Sequence, residues 1–137
     1  MSATTAGPGP VGRNEATAEF FDATARGELL LLRCRPHGHW NRPQAERCAE
    51  CDSADLAAEA GSGRASLVSW VVVHPRPVEG QPPRPVSVPA IVEFEEGPWW
   101  WTQLVDVDPS SLSAGAALRV VFEHPDNSEV VPVFTVA

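Results

Sequence analysis

Two pairs of metal-binding side chains with the same spacing constrain this chain more than any other feature of its sequence. Cys34 is separated from His37 by two residues, and Cys48 is separated from Cys51 by two residues. A gap of two residues lets both side chains of a pair point toward one centre, so two such pairs supply four ligands for a tetrahedral ion. Cysteine and histidine are ligands that zinc prefers. The sequence therefore predicts one zinc ion held by residues 34–51.

The identity of the histidine ligand is open at this stage, because His39 lies close to His37 in the sequence. We expect His37 to be the ligand, since its distance from Cys34 repeats the spacing of the second pair. Without a metal, the alternative is a set of three buried free cysteines with two surface histidines.

A structural role is expected for the zinc ion. Three thiolates and one imidazole fill the tetrahedron and leave no open position for water, which a catalytic zinc requires. Gly38 and Asp52 directly follow the two ligand pairs. Glycine, and to a lesser degree aspartate, tolerates the positive φ that closes such a turn.

The rest of the chain is predicted to be mainly β-structure. Fourteen prolines and ten glycines among 137 residues disfavour long helices. Five strands are predicted, at residues 65–74, 88–94, 99–107, 118–122 and 130–136. Apolar residues lie on both faces of the first strand and alternate along the second, as in a half-buried strand. A short helical turn is expected after Asp108. Five strands with one helical turn predict a small closed OB-fold barrel, in which closure hides the sheet edges.

The predicted organisation has four parts. Residues 1–13 are rich in glycine and proline and are expected to be disordered. Residues 14–27 form a helix that ends at Gly27, residues 28–62 form a zinc ribbon, and residues 63–137 form the OB-fold. Phe20 and Phe21 lie on the helix, where they either pack against the body of the protein or dock into a partner.

Charge bears on which functions are possible. The formal net charge is −8, all basic side chains are arginines, and residues 65–137 contain three arginines and nine carboxylates. A barrel that binds single-stranded nucleic acid needs basic side chains along an aromatic platform. A nucleic-acid-binding zinc-ribbon and OB-fold module is therefore the alternative function and not the preferred one.

The sequence contains no phosphate-binding loop or nucleophile-elbow pattern, so catalysis by this chain alone is not expected. His74 and His124 each precede a proline and are expected in turns. An odd number of cysteines favours reduced, metal-binding thiols. Residues 1–10 do not resemble a signal peptide, and no apolar run approaches the ~20 residues that span a bilayer. These features predict a cytoplasmic protein that does not enter a membrane.

Several motifs, in order along the chain, carry a resemblance to a known family. They lie at residues 20–21, 26–29, 32–34, 69–74, 93–98, 104–108 and 118–122, together with the two ligand pairs. Over residues 14–137 the chain resembles the bacterial and archaeal proteins that join an N-terminal helix, a rubredoxin-like zinc ribbon and an OB-fold. The family usually has cysteine where this chain has His37, and often has glycine where it has Asp52.

The resemblance implies a non-catalytic subunit that works beside a thiolase-like or lipid-transfer-protein-like enzyme. Settings known for the family include thiolase with hydroxymethylglutaryl-CoA synthase, acyltransferases, and aldolases that shorten steroid side chains. The partner carries the catalytic residues, and the small protein shapes the CoA channel and stabilises the complex.

Two groups of residues are candidates for contacts in such a complex. If the resemblance holds, Arg76 and Arg84 in the proline-rich loop pair with the phosphates of an acyl-CoA shared with the partner; otherwise they are solvated. Trp99, Trp100 and Trp101 follow a turn, and in a strand the middle ring points away from the other two. One side of this triplet is expected to face the partner, unless the ribbon or the helix of this chain covers it.

Overall fold

The computed structural model describes residues 5–137, which form one α-helix, one short 3-10 helix and two β-sheets. Helix α1 spans Ala18–Ala25, and the 3-10 helix spans Pro109–Ser111. The strands are β1 Leu30–Cys34, β2 Trp40–Asn41, β3 Leu56–Ala60, β4 Arg64–Trp70, β5 Val88–Phe94, β6 Trp99–Leu104, β7 Ala117–Glu123 and β8 Val131–Val136. Among these residues, no helix has both the length and the apolar character needed to cross a bilayer.

The last five strands close into a barrel with the order β4-β5-β6-β8-β7. All neighbouring pairs are antiparallel except β6 and β8, which are parallel and pair only through Leu104 and Phe134. Alternate residues of β5 point inward, so that Val88, Ala90 and Val92 are buried in the core. The prediction of a mainly β-protein with a five-stranded OB-type barrel is therefore confirmed.

The zinc-ribbon segment forms a separate three-stranded sheet with the order β2-β1-β3. Strands β2 and β3 were not predicted from the sequence. A tight connection joins this sheet to the barrel: Gly63 has a φ of +79°, and a Cβ atom there would lie 2.8 Å from Val120. The backbone amide of Ser62 donates a hydrogen bond to the Glu96 carboxylate in the β5–β6 turn (2.6 Å). These contacts position the ribbon beside the β5–β6 end of the barrel.

Helix α1 packs against the barrel through two buried phenylalanines. Phe20 and Phe21 belong to the core, and the Phe20 ring lies edge-on to that of Trp100, with 6.2 Å between centroids. Of the two alternatives for these phenylalanines, packing against the body of the protein is the one observed, and docking into a partner is not, because their own barrel buries them. The helix is also shorter than predicted, since Asn14 and Thr17 form a turn before it begins. Its C-terminus is followed by Gly27 at a φ of +81°, as expected.

The N-terminal segment 5–13 lies along the barrel, so the prediction of disorder is wrong for these residues. The Ala6 amide donates to the Val86 carbonyl (2.7 Å), and the Ala6 carbonyl accepts from the Gln103 side chain. Farther along, the Val11 amide donates to the Ser128 hydroxyl (2.8 Å). Residues 1–4, which belong to the same prediction, lie outside the described part of the chain.

Arg13 anchors the C-terminal end of segment 5–13 through its side chain. Its guanidinium donates two hydrogen bonds to the Glu129 carboxylate (2.8 and 2.9 Å) and one to Asp22 (2.7 Å). The hydrogen bonds from Arg13 lower the pKa of Glu129 below its ordinary value of 4.5. The stabilisation of the fold by this contact is therefore fully present above pH 4.5, the ordinary pKa of Glu129. It is lost as the pH falls through the lower pKa that Glu129 has in the folded state.

We expect Arg13→Ala to increase hydrogen exchange at the Val11 amide severalfold, because the segment loses its charged anchor. Hydrogen–deuterium exchange with mass spectrometry measures this effect. Arg35→Ala, which removes the exposed Arg35–Asp55 ion pair in the ribbon, serves as the control. Unchanged exchange in the Arg13 variant would mean that backbone contacts alone hold the segment.

Candidate metal centre and its surroundings

Four potential metal ligands converge in the ribbon. Ligand atoms of Cys34, His39, Cys48 and Cys51 all lie within 4.8 Å of one another. Nδ1 of His39 is 3.5 Å from the Cys34 sulfur and 3.6 Å from the Cys48 sulfur. The sulfurs of Cys34 and Cys51 are 3.9 Å apart. Three of the four predicted ligands are thus brought together.

His39, and not His37, completes this cluster, so the prediction of His37 is wrong. The chain reverses after Cys34, and backbone hydrogen bonds return it at His39, whose carbonyl accepts from the Cys34 amide (2.9 Å). The His39 amide also donates to the Cys34 sulfur (3.3 Å). His37 lies exposed in the turn, and its ring stacks on the outside of the His39 ring at 5.5 Å.

The spacing of the four ligand atoms fits a tetrahedral zinc ion. Zn–S bonds of about 2.3 Å and Zn–N bonds of about 2.0–2.1 Å give a tetrahedron with S–S edges of about 3.8 Å and S–N edges of about 3.5 Å. The S–N distances of 3.5 and 3.6 Å and the S–S distance of 3.9 Å agree with these edges. Three sulfurs and one imidazole nitrogen also match the donor set of closed structural zinc sites.

The surroundings of Cys48 favour its thiolate form. Burial raises the pKa of Cys48, but hydrogen bonds from the Asn41 side chain and from the backbone at Cys51 and Glu50 outweigh it and lower the pKa to about 6. For Cys51, a backbone hydrogen bond from Ser53 lowers the pKa. Burial and the neighbouring thiols of Cys48 and Cys34 outweigh this bond, so the pKa of Cys51 is raised above its ordinary value. Thiols crowded in this way gain from a cation that all of them can coordinate.

The backbone around the ligands has the turns expected from the sequence. Gly38 and Asp52 have positive φ values of 73° and 61°, respectively. The Gly38 amide donates to the Cys34 carbonyl, and the Asp52 amide donates to the Cys48 carbonyl (2.7 and 2.9 Å). The side chain of Asn41 is a part of the site that the sequence analysis missed. It is buried and accepts a hydrogen bond from the Ala49 amide (2.9 Å), which links β2 to the second turn.

Arg76 and Arg84 lie in the exposed loop between β4 and β5. The Arg84 guanidinium donates to the Arg76 carbonyl (2.8 Å), which holds the two residues near each other. Neither forms an ion pair with a carboxylate in the described part of the chain, in contrast to six of the other arginines. Both guanidinium groups are thus available to an anion.

The tryptophan triplet divides between the core and the surface. Trp100 points inward and packs against Phe94, with 5.7 Å between ring centroids. Its ring is half-buried, so Trp100 is not one of the exposed rings of the triplet. Trp99 and Trp101 point outward, with 56% and 70% of their surfaces exposed. Of the three rings, Trp100 is the one that Phe20 of helix α1 packs against.

A groove that the sequence analysis did not anticipate lies between the ribbon and the barrel. It encloses about 910 Å³ and runs from Trp40 and Arg42 on the ribbon to Glu96 and Trp99 on the barrel. One oxygen of the Glu96 carboxylate is buried there and lacks a hydrogen-bond partner among the described residues. Residues far apart in the sequence form its walls, so local sequence patterns do not reveal it.

Several known proteins are similar to this chain in sequence. The family model of the ChsH2 C-terminal OB-fold domain matches residues 58–123. The probable enoyl-CoA hydratase alpha subunit of Thermomonospora curvata is 27% identical over 125 residues, which cover 88% of this chain and 37% of that protein. The chain thus spans little more than a third of that relative. A DUF35 domain-containing scaffold protein of Methanocaldococcus jannaschii is 30% identical over 97 residues, 70% of this chain and 68% of that protein.

A solved structure is similar over almost the whole chain. A chain of the Ltp2-ChsH2(DUF35) aldolase superposes with a TM-score of 0.75 and 26% sequence identity, covering 91% of this chain and 97% of that chain. The similarity includes the ribbon and the barrel and is not limited to the OB-fold. The chain belongs to the family of DUF35 domain-containing scaffold proteins.

Proposed function

We propose that this protein is a non-catalytic accessory subunit of a thiolase-like enzyme that handles acyl-CoA. The observation that carries the proposal is the structural similarity to a chain of the Ltp2-ChsH2(DUF35) aldolase, which covers 97% of that chain. Because the similarity runs from the ribbon through the barrel, it supports a role in the same kind of assembly. An aldolase that cleaves an acyl-CoA is the partner reaction that this similarity favours, and the cytoplasm is the expected location.

The names of the sequence relatives support a scaffold role in CoA chemistry. The relative in Methanocaldococcus jannaschii is named a scaffold protein, and the one in Thermomonospora curvata is named a probable enoyl-CoA hydratase alpha subunit. The alternative of nucleic-acid binding is disfavoured by charge. Six of the ten arginines already pair with carboxylates of this chain, which leaves few cations for a phosphate backbone.

We expect the protein to form a stable complex with a thiolase-like subunit of the same organism when the two are co-expressed and purified. Trp99 and Trp101 are proposed as contacts, since large exposed aromatic rings are enriched in interface hot spots. Trp101→Ala should weaken the complex by about 30-fold, which corresponds to ~2 kcal/mol. Titration calorimetry with the purified subunits measures the affinity.

This test requires variants that keep their zinc and a cooperative thermal transition. The absence of any complex with the thiolase-like subunits would contradict the proposed function. Wild-type affinity in both Trp99→Ala and Trp101→Ala would instead reject only the contact residues.

We also propose that the ion in the ribbon is zinc in a structural role. Cys34, His39, Cys48 and Cys51 would hold it, and a bound zinc ion would supply a crosslink between the two turns. The four ligands occupy all tetrahedral positions, so the proposal assigns no catalytic step to the ion. Asn41 and the backbone amides beside the sulfurs would orient the ligands.

We expect one zinc per chain in metal analysis of the purified protein. Cys48→Ser and His39→Ala should each lose the metal and destabilise the protein by about 4 kcal/mol or more, because structural zinc contributes directly to folding. His37→Ala is the matched control and should keep both metal and stability, since His37 lies outside the cluster. A folded protein without zinc, or loss of zinc in the His37 variant alone, would contradict this assignment.

The proline-rich loop is proposed to contact the phosphates of a CoA thioester shared with the partner. Arg76 and Arg84 lie near each other and have no carboxylate partner in the described residues, and arginine pairs well with phosphate. The contact would lie outside the reacting atoms. It would therefore contribute to substrate binding and not to the chemical step.

We expect Arg84→Ala to raise the KM of the assembled enzyme for its acyl-CoA by about 10-fold with little change in kcat, as removal of a charge-assisted hydrogen bond would do. Arg119→Ala is the control, because Arg119 is exposed on β7 and also lacks an ion-pair partner in the described part of the chain. Steady-state kinetics decide the matter, and an equal KM in wild type and the Arg84 variant would count against the contact.

A further inference from the structure

The exposed apolar side chains of the barrel are concentrated on one face. The largest exposures among apolar strand residues are those of Trp99 and Trp101 on β6, and Val71 and Val73 directly after β4 are also exposed. A single small protein scatters such residues over its surface, and contiguous apolar patches mark sites of interaction. We call the outer surface of these strands the β4–β5–β6 face.

Strand register shows that these residues are neighbours. Trp101 pairs with Ile91 of β5, which pairs in turn with Ser69 of β4. One row farther along, the Val71 amide donates to the Pro89 carbonyl (3.1 Å), and the last row pairs Val73 with Ser87. Because alternate residues of β5 are buried, Pro89 and Ile91 lie on the same outer side as the tryptophans.

The extent of the face suits the centre of an interface between proteins. The seven residues from Ser87 to Glu93 give it roughly 20 Å along the strands, and three strands give it roughly 10 Å across them. The largest apolar patch on a typical monomer measures about 300–600 Å² and is often functional. A stable interface buries about 800 Å² per partner, so the flanking loops must contribute its rim.

The helix, the N-terminal segment and the ribbon of this chain lie against other parts of the barrel. Phe20 and Phe21 of α1 and Pro8 and Val11 of the N-terminal segment line a groove beside β6 and β8, and Trp101 lies at its border. The ribbon lies beside the β5–β6 turn, where Ser62 binds Glu96. No element within residues 5–137 covers Val71 and Trp101 of the β4–β5–β6 face, which are 58% and 70% exposed, respectively.

The charges at the two ends of the face differ in sign. Glu93 pairs with Trp99 across the strands, is exposed, and has no ion-pair partner among the described residues. The loop at the opposite end carries Arg76 and Arg84. An apolar surface with a lysine or arginine opposite Glu93 would complement the Trp99 end. A second copy of this chain is disfavoured by its net charge of −8.

We propose that the β4–β5–β6 face is the surface on which the thiolase-like partner docks, with a basic residue of that partner opposite Glu93. The inference rests on the proposed function, because the partner is the enzyme subunit proposed above. It adds Val71, Ile91 and Glu93 to the outward tryptophans. It also defines the chemistry of the partner: an apolar centre with a basic group at one end.

The test compares two pairs of variants in binding to the purified thiolase-like subunit. Val71→Asp places a charge in the face, and Val136→Asp is its control, because Val136 is 47% exposed on β8 outside the face. Glu93→Arg reverses a charge in the face, and Asp126→Arg makes the same change at an exposed residue of the β7–β8 turn. All four variants are checked for zinc content and a cooperative melt.

We expect Val71→Asp to weaken binding by about 30-fold or more, whereas Val136→Asp stays within about threefold of wild type. Glu93→Arg should weaken binding by about 10-fold, with a slower association rate that salt partly restores, because two cations then repel each other across the interface. Asp126→Arg should leave both the rate and the affinity within about threefold of wild type.

Each contrary outcome points to a different error. If wild-type protein binds and each variant in the face binds as well as its control, the face is not the interface, and the proposed function stands. If wild-type protein binds no thiolase-like subunit, the proposed function fails and this inference fails with it. If the isolated protein dimerises and Val71→Asp abolishes the dimer, a second copy occupies the face and the inference is overturned.

Discussion

The convergence of four ligand atoms in the ribbon is the constraint on which its structure depends. Of residues 35–55, only Asn41, Pro43 and Cys48 are buried. A segment of this length with so few buried side chains cannot gain its order from apolar burial. The segment instead takes its shape from two turns whose ligands meet at one point, and Leu29 and Leu31 then join that structure to the barrel core. A bound ion at this point would stabilise both.

The barrel could be predicted from the sequence because its pattern is local. Val88, Ala90 and Val92 alternate with less apolar residues, and this period of two directly records which side of a strand faces the core. Strand β3 was missed, because it is rich in alanine, has low intrinsic β-propensity, and is held by pairing with the distant β1. The N-terminal segment was missed for a related reason. Its composition suggested disorder, but hydrogen bonds to Val86 and Ser128 fix it.

At the candidate metal site, too, sequence spacing predicted some residues and could not predict others. Cys34, Cys48 and Cys51 were identified because cysteines spaced by two residues from a second cysteine or a histidine are typical zinc ligands. The choice between His37 and His39 depended on the register in which β2 returns to β1, and no local rule provides that register. Because successive side chains of a strand point to opposite sides, the sequence alone separated Trp100 from Trp99 and Trp101. The side that faces the core follows from the register with β5, in which Trp100 pairs with the buried Val92, and Phe20 packs against the Trp100 ring.

The short pairing between β6 and β8 accounts for where helix α1 and the N-terminal segment lie on the barrel. A barrel whose strands pair only at Leu104 and Phe134 on one side leaves a gap, and the apolar inner side chains there need a cover. Helix α1 and the N-terminal segment lie on that side, whereas the ribbon lies beside the β5–β6 turn. Strands β4, β5 and β6 pair fully with each other and need no such cover for their backbone. Their outer side chains therefore remain exposed, and the apolar character of Trp101 and Val71 has no explanation within the monomer.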